Sequence, residues 1–120
     1  MPFRTTVEDG VFVIRATGVI KIEDVTALVE EQDRFFALPA CSGLFLCDNS
    51  GLKVIAPEAT EALIERMRSD SARIVRSAFV IGEGTSALQL SRILRDAGSD
   101  KRRTFTNEDQ AVAWLLAPVP

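Results

Sequence analysis

The 120-residue chain contains no histidine and no tyrosine, and it has only two cysteines and one tryptophan. Without histidine, Ser-His-Asp and Cys-His catalysis and every histidine-based metal site are excluded. Without tyrosine, another common general acid is missing. No apolar run approaches the roughly 20 residues needed to cross a bilayer. The opening Met1-Pro2-Phe3-Arg4 has no secretory apolar core, so the cytoplasm is the expected compartment. Positive charge is not in excess either: the net charge of −3 gives no general attraction to nucleic acid. These absences point away from an enzyme, a cofactor and a metal.

What is present suits one globular domain. Hydrophobic residues make up 47% and charged residues 26%, ordinary values for a packed core under a solvated surface. Residues 1–117 are expected to form the domain, with 118–120 as a tail. The charge is uneven: residues 1–60 carry −4 and residues 61–120 carry +1. Cys41 and Cys47 are expected to be free thiols in a reducing compartment.

Apolar periodicity divides the chain. Phe3–Val7 and Val11–Ala16 read as strands joined by Asp9-Gly10, a hairpin signal, with Gly18 closing the second. Ile22–Leu38 turns to helical spacing, with Ile22, Val25, Leu28, Val29, Phe35 and Phe36 on the inner face, and stops at Pro39. Leu44–Cys47 reads as a strand covered on both faces. Pro57 opens a second helix with Ala59, Leu63 and Met67 inward and Ile64 on the flank. Val75–Ile81 is a strand, and Thr85–Ala97 a helix ended by Gly98. Thr104–Thr106 is a short strand, and Asn107 with Gln110 caps a last helix whose inner face includes Ala111 and Trp114. This order predicts an α/β fold: a mostly parallel sheet of about five strands, an N-terminal antiparallel hairpin and four helices.

Three segments could carry chemistry. Asp48-Asn49-Ser50-Gly51 follows a buried strand, where α/β sheets often bind ligands, but its residues also suit a turn, the preferred reading. Gly82, Gly84 and Ser86 form a glycine-bearing start to a helix, where free N–H groups could hold an anion; the lysine of a P-loop is lacking. Lys101-Arg102-Arg103 has acidic residues around it and reads as the solvated start of a strand.

The element order, together with Leu44-Phe45-Leu46-Cys47-Asp48-Asn49-Ser50-Gly51-Leu52-Lys53-Val54-Ile55-Ala56-Pro57-Glu58-Ala59, resembles the STAS fold of anti-sigma-factor antagonists. The closing Phe105-Thr106-Asn107-Glu108-Asp109-Gln110-Ala111-Val112-Ala113-Trp114-Leu115 resembles the SpoIIAA-like branch. In those antagonists a serine at the helix start after this strand is phosphorylated, which breaks binding to an anti-sigma kinase. Ala56-Pro57-Glu58-Ala59 stands there in this chain, with Pro57 at the family position. No phosphorylation is therefore expected there.

The resemblance implies a non-catalytic regulatory or docking module without the serine switch. The alternative is a carrier or sensor of an apolar small molecule or lipid at a membrane surface, since SpoIIAA-like chains resemble lipid-binding folds. Expected partners are a protein, a lipid or apolar ligand, or a second copy, with peripheral membrane contact and no nucleic acid. One misfit residue suggests the surface. Ala87, Leu90, Ile93, Leu94 and Ala97 share the inner arc of the third helix, whereas Leu88 lies outside it, framed by Arg92 and Arg95. Leu88, Arg92 and Arg95 are the predicted contact patch.

Overall fold

The computed structural model describes residues 2–118; Met1, Val119 and Pro120, and with them most of the expected tail, lie outside the described residues. Strands β1 (Phe3–Glu8) and β2 (Val11–Ile20) form a hairpin closed by Asp9 and Gly10, both at positive φ (52° and 80°). Those angles suit the twist of a two-residue hairpin loop. Helix α1 (Ile22–Phe36), β3 (Leu44–Ile55), α2 (Pro57–Asp70), β4 (Arg76–Ile81), α3 (Thr85–Ala97), β5 (Arg102–Phe105) and α4 (Glu108–Leu116) follow. The strands pair in chain order, with β1 antiparallel and the rest parallel. This is the predicted α/β architecture.

Each face of the sheet has its own core. Phe12, Ile14, Phe45, Cys47 and Phe79 meet α1, α2 and α3 on one face. Val11, Val13, Leu46, Ala78 and Val80 meet Ala111 and Leu115 of α4 on the other. Asn107 caps α4 by accepting from the Gln110 N–H at 3.1 Å, as the sequence suggests. Arginines hold both ends of α4. Arg15 reaches Glu108 at 2.6 Å, and Arg76 donates to the carbonyls of Trp114 and Ala117.

Three strand expectations are corrected. Gly18 does not end β2, and Asp48-Asn49-Ser50-Gly51 is not a turn but the middle of a 12-residue β3. The β2–β3 ladder runs Arg15↔Asp48, Thr17↔Gly51, Gly18↔Leu52, Val19↔Val54, so β3 carries an extra residue at two places. Each bulge shifts the alternation by one. Phe45, Cys47, Leu52 and Ile55 consequently all face the same core, although they do not alternate in sequence. At β5 the strand begins at Arg102, two residues earlier than expected.

Helix faces are corrected too. In α1 the buried aromatic is Phe35, 3% exposed, while Phe36 is half-buried and Ile22 exposed. Phe35 packs on Phe12 and Phe45 at 5.1 and 5.2 Å between centroids; Phe36 carries the Arg73 guanidinium at 4.2 Å on its ring. In α2, Ile64 is buried and Leu63 only half so. Truncating Phe35 to Ala should cost about 3–5 kcal/mol, and Phe36→Ala less than about 3 kcal/mol. Urea denaturation of both variants checks this; equal losses would refute the assignment of the helix face.

Candidate functional site

Strand β4 pairs only with Leu44–Asn49, so the last six residues of β3 run past it. On that side their backbone groups need other partners. Helix α3 supplies them from side chains. The Ser86 hydroxyl donates to the Leu52 carbonyl at 2.7 Å. Gln89 takes the Ile55 N–H and donates to the Ile55 carbonyl, both at 2.8 Å, as a neighbouring strand would. Gly82 permits the approach: a Cβ there would stand 3.0 Å from the Ser50 carbonyl oxygen.

These residues belong to the expected anion loop of Gly82, Gly84 and Ser86. Ser86 is buried, its hydroxyl is committed to Leu52, and Gly82 serves close backbone packing.

Beyond Ile55 the chain enters α2. Ala56 is the N-cap residue, without a side-chain cap, Pro57 opens the first turn and Glu58 stands exposed in it. The Ala56 N–H donates to the Ile20 carbonyl at 2.9 Å, fixing the junction to the end of β2. No hydroxyl is available at Ala56, Pro57 or Glu58.

Ser50, the nearest hydroxyl before the junction, is turned to Asp48, donating at 2.7 Å while its N–H donates to the same oxygen at 3.1 Å. Burial opposes ionisation of Asp48, but the two Ser50 bonds and Arg15, 3.0 Å away, outweigh it and hold the carboxyl below its ordinary pKa. A phosphate on Ser50 would face that carboxylate and be repelled.

The predicted patch lies on the outer face of α3. Leu88 is 75% exposed, the most open large apolar side chain among the described residues. Arg92 and Arg95 are exposed beside it, at 3.7 and 3.6 Å from Asp96. Leu88, Arg92 and Arg95 form one stripe at i, i+4 and i+7. Because Ser86 and Gln89 bind the same helix to β3, the stripe stands on a fixed support.

Under the helical layer lies a polar cluster that the sequence concealed. The side chain of Arg102, read as solvated, is 2% exposed and bonds the 3%-exposed side chain of Asp70 at 2.6 Å. It also donates to the Met67 carbonyl and the Ser71 hydroxyl, both at 3.0 Å, which closes the end of α2. Arg66 bridges Asp70 to Gln32 and Asp33 of α1. Burial raises the Asp70 carboxyl above its ordinary value even with two guanidinium groups facing it. Nearby, burial pushes the Cys47 thiol up to about 12.

A partly open cavity of about 80 Å³ lies between the helices and the sheet, lined chiefly by apolar side chains including Ile14, Val25, Leu28, Phe45 and Met67. Of Phe35, Phe36, Met67 and Trp114, the side chains expected to line a carrier's cavity, only Met67 does so. A cavity that admits benzene measures about 150 Å³, so an acyl chain does not fit in this conformation. Among the described residues no helix is long and apolar enough to cross a membrane, and no acid–thiol group has metal-binding geometry.

Two outcomes follow. Asp70→Ala should cost about 3–5 kcal/mol because Arg102 is left buried and unpaired, while Asp70→Leu/Arg102→Met should recover most of that loss. Chemical denaturation of the single and double variants measures the coupling; strictly additive losses would contradict it. A neutral-pH thiol reagent should label the half-buried Cys41 in the native protein and Cys47 only after unfolding. Two native labels would show that Cys47 is accessible.

No protein-family model and no curated protein matches the sequence. Solved structures do resemble it. One is an uncharacterised protein of the DUF3478 family with a SpoIIAA-like fold from Shewanella loihica PV-4. It is 16% identical, with a TM-score of 0.66 over 94% of this chain and 91% of that one. Another is the anti-sigma factor antagonist SpoIIAA in its unphosphorylated form, 13% identical, with a TM-score of 0.65 over 93% of this chain and 96% of that one. The chain therefore has the SpoIIAA-like fold.

Proposed function

We propose that this protein is a non-catalytic regulatory or docking module of the STAS type, working without a phosphorylatable serine. The observation that carries the reading is the β3–α2 junction, where Ala56, Pro57 and Glu58 offer no hydroxyl. In the antagonists that the chain resembles, a serine at this helix start is the switch. Here Glu58 puts a permanent negative charge in the first turn, which the helix dipole also favours. The Ser50–Asp48 pairing supports the same reading, since it disfavours a phosphate at the nearest hydroxyl before the junction, and the Thr60 hydroxyl after it donates to the Ala56 carbonyl at 3.2 Å. Binding would then be constitutive, or controlled by the partner's abundance.

The docking surface is Leu88, Arg92 and Arg95, an apolar side chain at the head of a two-cation row on a helix fixed to the sheet. The small size of the cavity supports docking over carriage of a lipid. Peripheral contact with an anionic membrane is the competing use of the same face.

Affinity capture from lysate and co-sedimentation with anionic vesicles, each for wild type and Arg92→Glu/Arg95→Glu, separate these uses. A specific protein retained by wild type and lost by at least about tenfold in the variant is expected, with neither form sedimenting. Identical behaviour of two folded proteins in both assays would remove the patch. Stoichiometric phosphate on Ser50 that abolishes capture would overturn the constitutive reading.

A further inference from the structure

The helical layer is electrically lopsided, and the cationic side is larger than the predicted patch. Arg68, near the end of α2, donates to the backbone carbonyl of Asp96 at 2.8 Å. Arg92 and Arg95 lean on the carboxylate of the same Asp96. Two guanidinium groups therefore share one carboxylate and a third sits on the backbone of the same residue, a local excess of positive charge on a chain whose net charge is −3.

The adjoining helix shows the reverse. Glu58, Glu61 and Glu65 form the outer stripe of α2, all exposed, and none makes an ion pair among the described residues. Helix α2 packs directly against α3. Both helices are crossovers between parallel strands on one face of the sheet and so run in the same sense. The acidic row at i, i+3 and i+7 and the Leu88-Arg92-Arg95 row at i, i+4 and i+7 each span seven residues, about 10 Å.

We infer that the partner of this face is a second copy of the chain, with the α3 row of each protomer on the α2 row of the other. The inference rests on the docking reading above and names its occupant. A two-fold axis along the seam between α2 and α3 places Arg92 and Arg95 over the partner's glutamates twice, in a self-complementary contact. Leu88 then sits at the end of each charged row and loses its exposure to water. A flat anionic bilayer is a poorer fit, because on meeting α3 it also meets the three glutamates of α2.

Sedimentation velocity of the whole chain, across micromolar to submillimolar concentrations, tests this at about 50 mM and about 500 mM salt. A dimer at low salt, weakened by about tenfold or more at high salt, is expected. Arg92→Glu/Arg95→Glu and Glu61→Arg/Glu65→Arg should each be monomeric and, mixed together, should form a heterodimer. Circular dichroism establishes that each variant is folded, and the mixture serves as the internal control. A chain monomeric at every concentration, a dimer that survives both reversals, or folded variants that fail to combine would overturn the inference. If the chain is monomeric while lysate capture still depends on Arg92 and Arg95, only the identity of the partner falls. If self-association follows the charge swap while capture does not, the second copy stands as the sole occupant.

Discussion

The last residues of β3 depend on two side chains. A strand that outruns its neighbour leaves backbone N–H and C=O groups that cannot be buried unpaired. Ser86 and Gln89 satisfy them, so α3 takes over part of the role of a sixth strand. Much else follows from that contact. It sets the height and rotation of α3, and therefore which residues point to solvent. It also holds the β3–α2 junction, because Ile55, gripped by Gln89, immediately precedes Ala56 and Pro57. The two surfaces that matter for partner binding, the start of α2 and the outer face of α3, are thus parts of one rigid unit.

Charge plays different parts inside and outside. Arg102 and Asp70 are buried as a pair whose burial is costly, and the arrangement is worthwhile because the same guanidinium closes the carbonyl end of α2. Arg15 and Arg76 act as clasps at the two ends of α4, a helix of only nine residues covering its face of the sheet. The exposed arginines of α3 have no such structural duty beyond their contact with Asp96. Arginine is therefore used for packing in one layer and for display in another, and only the tertiary fold distinguishes the two.

That distinction explains what could be read from the chain. Local rules sufficed where the determinant was local: Asp9-Gly10 for the hairpin, Asn107 with Gln110 for the cap of α4, and the Thr85–Ala97 limits of α3 with Gly98 after it. They failed where the partner lay far along the sequence. Ser86 and Gln89 bond backbone 34 residues away, and Arg102 finds Asp70 32 residues away, so neither showed as structural. Asp48-Asn49-Ser50-Gly51 has turn-forming residue types, yet sheet pairing absorbs it through bulges that erase the period of two. Phe35 and Phe36 are adjacent, and a helix stripe cannot rank neighbours so close to its edge. The outward stripe of α3 was legible because a leucine outside an apolar arc is visible from spacing alone.

The strand order has a consequence for how the protein is made. Every strand lies beside the one before it in the chain, so no strand must wait for a later segment to be inserted between it and its neighbour. As the chain leaves the ribosome, each new strand–helix unit can add to the edge of a sheet already in place. The exposed edge advances from β2 to β5 with synthesis, while β1 covers the opposite side from the start. Closure comes last: only when β5 and α4 emerge can Arg102 reach Asp70 and Glu108 reach Arg15. A nascent chain that has emerged only as far as Lys101 would therefore hold a nearly complete sheet with an open β4 edge and an unclosed end to α2.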